Sequence, residues 1–167
     1  VLMKSIISAA ARGGKRATIL AFFTILIFLL IDFRGIKQTL VSVIPLIVGC
    51  IWMLGFLSAT GIHFTWMTVM AVPLLIGTGI DYGVHIIHRY RIEGPEGCPA
   101  VMRTTGKAVF LTSFTTMIGF GSLMFSRMVG LQQFGVTLCV GIFFMLVLSV
   151  VLIPALLTLT GNRKDSD

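Results

Sequence analysis

Residues 72–88 read VPLLIGTGIDYGVHIIH, an apolar stretch with one acid, Asp81, near its middle. A helix needs about 20 mainly apolar residues to cross the roughly 30 Å hydrocarbon core of a bilayer. Extended outward to residues 65–88, the stretch is long enough for such a span. It therefore predicts a membrane helix that carries an ionisable group inside the bilayer, and it decides the fold class.

The composition of the whole chain also indicates a membrane protein. Of its 167 residues, 56% are hydrophobic and only 11% are charged, whereas a soluble domain is about 25% charged. The formal net charge is +7, but the basic residues lie between apolar segments, where they are topology signals and predict no nucleic-acid partner. Three widely spaced cysteines without a CxxC pair predict neither a disulfide framework nor a metal site.

Five apolar segments predict an all-α integral membrane protein, a bundle of five transmembrane helices arranged as antiparallel hairpins with short loops. The predicted spans cover residues 17–33, 40–59, 65–88, 108–126 and 131–160. Together they form a transmembrane domain of residues 17–161. Before it, residues 1–16 mix apolar and basic side chains and predict an interfacial amphipathic segment. Residues 89–107 are the one substantial loop, with a turn at residues 94–97 and then a basic segment through Arg103 that could form a short interfacial helix. Residues 162–167 form a C-terminal tail.

The distribution of basic residues predicts the orientation of the chain. Eight lie on the side of residues 89–107 and the C-terminus, and five lie on the other side. An excess of Lys and Arg marks the cytoplasmic side of a membrane protein. We therefore expect a multi-pass protein whose loop 89–107 and C-terminus are cytoplasmic, although the four basic residues of segment 1–16 favour the opposite orientation.

Asp81 is the residue that needs a functional explanation. An ionisable side chain near the bilayer centre costs about 2.5–3.5 kcal/mol on insertion scales, and such acids usually mark ion or proton pathways. Burial favours the neutral carboxylic acid over the carboxylate. We therefore expect Asp81 to bind a proton on one side of the membrane and release it on the other, with a purely structural hydrogen-bonding role as the alternative.

Helical spacing gives Asp81 further ionisable neighbours. His85 and His88 follow four and seven residues later on the same stripe of the helix, and Arg89 comes at the membrane edge. This stripe suggests a proton path from mid-membrane toward the basic side. Packing of His85 and an interfacial position of His88 are the alternatives. Tyr82 points about 100° away from Asp81, so a partnership with that acid would run across helices.

Small and hydroxylated residues are the remaining candidates. One proline and three glycines of the third span are expected to serve close packing or movement, because proline weakens a helix and glycine lets another helix approach: Pro73, Gly77, Gly79 and Gly83. Hydroxyls of the fourth span either relay the proton of Asp81 or bond their own backbone. These candidates are Thr112, Thr115 and Thr116.

The run GTGIDYGVH at residues 77–85, followed by HRYR at residues 88–91, resembles the fourth helix of a six-helix half in the resistance–nodulation–division (RND) superfamily. It is most similar to the MMPL-type branch of lipid and hydrophobic-substrate exporters. Later blocks resemble the fifth and sixth helices of that family, at residues 104–108, 112–120, 130–135 and 154–157. The resemblance extends over residues 17–161, nearly the whole chain.

This resemblance implies that the five spans are helices two to six of one half, in a bacterial or archaeal inner membrane. It makes Asp81 a proton-relay residue beside Tyr82, in an exporter of lipids or other hydrophobic molecules that is driven by the proton motive force. The periplasmic porter domain and the second half are then expected on the same longer chain or on a partner. No cofactor is expected, and a homo-oligomer is left open.

Two functions other than export stay open from the sequence. One is a sterol- or lipid-sensing or regulatory membrane module without transport, and the other is a protein-export accessory subunit that uses the same proton relay. An enzyme is not expected, because the sequence holds no nucleophile–base pair, metal cluster or phosphate-binding loop.

Overall fold

The structure, a computed structural model, describes residues 19–20, 22–31, 33, 36–61, 66–94 and 97–161. Every regular element in these ranges is helical. Two are single turns: a π turn at Met102–Gly106 and a 3₁₀ turn at Ser122–Phe125. The others are α1 (Phe22–Ile31), α2 (Ile36–Ala59), α3 (Trp66–Glu93), α4 (Cys98–Val101), α5 (Lys107–Gly121) and α6 (Val129–Gly161).

Four helical stretches in the described part of the chain are long and apolar enough to cross a membrane. They are Gln38–Ala59, Met67–Glu93, Pro99–Phe125 and Val129–Leu157. The helix α1 is apolar but shorter. These helices confirm the predicted fold class, an all-α membrane bundle. The predicted interfacial segment 1–16 and tail 162–167 lie outside the described residues.

The helix α3 continues to Glu93, five residues beyond the predicted end of its span at residue 88. A charged pair one turn apart supports this last turn, because the Arg89 guanidinium lies 2.6 Å from the Glu93 carboxylate. The residue after the helix, Gly94, has a φ of 75°, a backbone conformation that favours glycine. Much of the predicted loop 89–107 is therefore helical: α4, the π turn and α5 follow one another directly.

The helix α6 occupies the centre of the bundle. The helices α2, α3 and α5 all pack against it, and α2 also packs against α3. A helix that is apolar on all sides suits this place, because every face meets another helix or lipid. Fully buried side chains fill these contacts: Met53, Leu57, Leu75, Leu138, Ile142 and Met145.

The helix α5 is attached to the bundle mainly through α6. The Cys139 thiol of α6 donates to the Met117 carbonyl of α5 at 3.2 Å. The opposite side of α5 is largely uncovered, with exposed Phe110, Leu111, Phe114 and Ile118. Because α3 and α5 both rest on α6, a cleft remains between them, and this cleft contains the candidate site.

Candidate functional site

The Asp81 side chain lines a cavity of about 600 Å³ that has α3 on one side and the π turn with α5 on the other. One wall comes from α3, where Asp81, His85 and Arg89 follow at steps of four residues and therefore share one stripe. The other wall comes from the π turn and α5. The full lining is Thr78, Asp81, Tyr82, His85, Arg89, Thr104, Thr105, Ala108, Val109, Thr112 and Thr116.

The cavity brings together most of the residues that the sequence proposed for a proton relay. Tyr82 and His85 line it beside Asp81, and Thr112 and Thr116 face them from α5. Two others are placed elsewhere. Thr115 is not part of the lining, and its hydroxyl donates to the Thr112 carbonyl at 2.8 Å. His88 is exposed and also does not line the cavity.

The threonine hydroxyls of the cavity donate to their own helices. Thr112 donates to the Ala108 carbonyl at 2.9 Å, and Thr116 donates to the Thr112 carbonyl at 2.7 Å. On α3, Thr78 donates to the Leu74 carbonyl at 3.2 Å. A hydroxyl whose proton is used in this way keeps lone pairs that can still accept. The cavity wall opposite Asp81 can thus accept a hydrogen bond from a protonated carboxyl group or from water.

Tyr82 connects the two walls of the cavity. Its side chain is 6% exposed, and its hydroxyl lies close to the Ser113 side chain of α5. The Ser113 hydroxyl donates to the Val109 carbonyl of its own helix at 2.7 Å. The neighbour of Tyr82 across the helices is thus Ser113, and its partnership with Asp81 stays a prediction. Sequence reasoning missed Ser113 because the facing of two helices fixes this pair, and no local pattern marks it.

Asp81 is exposed within this chain, whereas its place in a span predicted burial. The cavity opens at the surface because α3 and α5 are joined through α6 and not along their full lengths. The described residues therefore do not by themselves remove the carboxyl group from solvent. Lipid or a further protein segment over the mouth of the cavity would have to do so.

Sequence reasoning missed Glu93, a charged residue at the end of the cavity. Arg89 lines the cavity, and its Nη2 atom lies 2.6 Å from Oε1 of Glu93. The other carboxylate oxygen of Glu93 is buried without a partner in the described part of the chain. Glu93 continues the four-residue steps of Asp81, His85 and Arg89, and this spacing could have identified it.

The three glycines of α3 do not share a face. A β-carbon on Gly83 would lie 3.2 Å from the Ser42 Cα of α2, and one on Gly79 would lie 2.9 Å from Leu46 Cδ1. Gly83 therefore lets the backbone of α2 approach α3, whereas the space at Gly79 is filled by the side chains of Met145 on α6 and Leu46 on α2. Gly77 has nothing within 4 Å, because it lies about 200° around the helix from Gly79. It belongs instead to the stripe of Asp81, one turn before it.

Pro73 lies inside α3, which continues through it without a break. Its predicted role in movement stays a prediction. Among the described residues, no group of three or more His, Cys, Asp or Glu side chains could hold a metal ion.

Comparison with known proteins relates the chain to one family. A sequence model of the MMPL family matches residues 1–167. A membrane protein of Methanocaldococcus jannaschii is 32% identical over 148 residues, which are 85% of this chain and 38% of that protein. The apo-petrobactin exporter of Bacillus anthracis is 28% identical over 154 residues, 83% of this chain and 21% of the exporter. A hopanoid transporter of Burkholderia multivorans is 28% identical over 141 residues, 84% of this chain and 16% of the transporter.

Proposed function

Because the chain belongs to the MMPL family, we propose that it is part of the membrane domain of an exporter driven by the proton motive force. Asp81 binds the transported proton, and the cargo is a lipid or another hydrophobic molecule. The relative named as an exporter supports export. The relative named as a hopanoid transporter supports an apolar cargo. The chain spans less than half of each of these relatives, so the complete transporter includes further segments.

This proposal rests on the cavity around Asp81. Asp81 is the one acidic residue of the lining, and it lies on a helix long and apolar enough to span the membrane. A carboxylate there holds water in the cavity, because a charge in apolar surroundings must be solvated or paired. A protonated carboxyl group is neutral and can donate to a hydroxyl of the opposite wall. Proton binding thus favours a drier and narrower cleft between α3 and α5.

The neighbours of Asp81 have separate roles in this mechanism. His85 follows one turn later in the same cavity and exchanges protons with Asp81 through water. Thr112 and Thr116 accept hydrogen bonds from the protonated state. Tyr82, which lies close to Ser113 of α5, transmits the opening or closing of the cleft from α3 to α5.

The rest of the transporter completes the site. A second half lies over the open side of the cavity and removes Asp81 from solvent, and a periplasmic porter domain collects the cargo. The end of α3 that carries Arg89 and Arg91 is cytoplasmic, as is the C-terminus, because basic residues are concentrated on that side.

Replacement of the carboxyl group tests the proposal. In cells whose lipids are labelled with radioactive acetate, the wild-type protein releases labelled lipid to an external acceptor in a manner that an uncoupler abolishes. Asp81→Asn abolishes the release, because the amide keeps the shape but binds no proton, whereas Asp81→Glu retains part of it. Thr115→Val is the matched control, since that hydroxyl lies outside the cavity, and it exports normally. Export by Asp81→Asn at the wild-type rate would contradict the proposal.

A further inference from the structure

Four ionisable residues follow one another on α3 at steps of four: Asp81, His85, Arg89 and Glu93. Each step passes a full helical turn by about 40°, so the four side chains form one gently curving stripe. It runs from the middle of the span to the end of the helix. The first three residues line the cavity, and the fourth holds the third through the 2.6 Å ion pair.

The ion pair fixes the direction of the Arg89 side chain. Its guanidinium group is bonded to Glu93 on the side of the helix end, away from His85 and Asp81. The two side chains are 46% and 21% exposed, and a partly exposed pair of residues four apart on a helix contributes little to the stability of a fold. The main consequence of the ion pair is therefore that it fixes the position of the positive charge of Arg89.

We propose that Glu93 is a positioning residue that holds the Arg89 guanidinium at the end of the cavity. It thereby sets the pH at which the cavity takes up its proton. This inference rests on the proposed function, in which Asp81 binds the transported proton. Without Glu93, the guanidinium is free to turn toward His85, one helical turn away. A positive charge there attracts the Asp81 carboxylate and opposes a proton on His85.

The other charged groups near this end of α3 do not replace Arg89. Arg103 on the π turn and Lys107 at the start of α5 are exposed, and neither lines the cavity. Arg91 is also exposed and lies outside the lining. Glu96 lies outside the described residues. Of the Lys and Arg side chains in the described part of the chain, Arg89 alone reaches the Asp81 cavity.

Proton uptake at different pH values tests this role. The complete protein is placed in liposomes that contain the pH-sensitive dye pyranine, and a potassium diffusion potential drives protons inward. Glu93→Gln shifts half-maximal uptake by about one pH unit toward lower pH, because the released guanidinium competes with the proton. The double variant Arg89→Gln/Glu93→Gln returns the midpoint to the wild-type value or above it. Arg103→Gln, which removes an exposed charge outside the cavity, leaves the profile unchanged.

The variants separate a positioning role from a structural one. If the ion pair only stabilised the helix end, both the single and the double variant would yield less folded protein, and removal of Arg89 would not reverse any pH shift. An unchanged profile in Glu93→Gln, or the same shift in both variants, overturns the inference. Asp81→Asn in the same assay distinguishes the two proposals. If Asp81→Asn retains proton uptake, the proposed function is contradicted. If Asp81→Asn loses uptake while the Glu93 variants keep the wild-type profile, only the proposed role of Glu93 is contradicted.

Discussion

At the residue scale, two glycines of α3 have opposite surroundings. A β-carbon at Gly83 would lie 3.2 Å from both Cα and Cβ of Ser42 and 3.3 Å from its carbonyl oxygen. Backbone atoms of a packed helix cannot move aside as a flexible side chain can. Gly77, in contrast, has nothing within 4 Å. Gly83 is therefore required for the contact between α2 and α3, and Gly77 is not.

We expect Gly83→Ala to lower the free energy of unfolding by about 1–3 kcal/mol, the usual cost of adding a methyl group to a close contact. Gly77→Ala is its matched control, because it adds the same group to open space. It raises helix propensity by up to about 1 kcal/mol and leaves stability equal or higher. Thermal unfolding of both variants in detergent measures the difference. Equal losses would show that the close approach of α2 at Gly83 is not tight.

Part of the candidate site could be predicted from sequence at this scale. The positions of Asp81 and His85 in one cavity follow from helical spacing, because residues four apart on a helix share a face. The proximity of Tyr82 and Ser113 could not be predicted, since it depends on how α3 and α5 face each other. The same spacing argument applies to Glu93. Because Glu93 lay in a predicted loop, its link to Arg89 was not recognised from the sequence.

At the scale of elements, the attachment of α5 to α6 depends on a small residue in α6. A β-carbon at Gly135 would lie 2.8 Å from the Phe120 carbonyl oxygen and 3.0 Å from Leu123 Cβ. The end of α5 and the following 3₁₀ turn therefore pack directly on the backbone of α6. This contact thus attaches to α6 the helix that forms one wall of the Asp81 cavity.

Gly135→Ala is expected to separate the end of α5 from α6 and to speed hydrogen exchange of the α5 backbone amides. The reason is that the added methyl group displaces backbone atoms, which loosens the whole helix end. Gly119→Ala on α5 is the control, since nothing lies within 4 Å of that position. Mass spectrometry of peptides from α5 measures the exchange. The same exchange rates in both variants would contradict a direct packing of α5 on Gly135.

The long helices could be predicted from sequence, because apolar length alone indicates a span. A short helix through Arg103 was expected within the loop, but its unbroken continuation into α5 was not. Charged and small residues there are typical of a connection, and the structure instead continues α4 through a π turn into α5. A π turn has no sequence signature of its own, and it brings Thr104 and Thr105 to the cavity.

At the scale of the whole molecule, the described residues form two walls of a cavity and leave its mouth open. Asp81 and the outer side of α5 are exposed in the described part of the chain. The sequence indicated the membrane location and the central acid. It could not show that the described residues leave the acid uncovered, because burial depends on how far apart α3 and α5 are held by α6.

The central claim is that Asp81 gains and loses a proton in the membrane. Infrared difference spectroscopy tests it most directly, by following the carboxyl band of the complete membrane-embedded protein while the pH changes from about 5 to about 8. We predict a protonated carboxyl band that is present at the lower pH, disappears at the higher pH and is absent from Asp81→Asn. A spectrum in which Asp81 stays ionised over this whole range would contradict the claim, since such an acid carries no proton under physiological conditions.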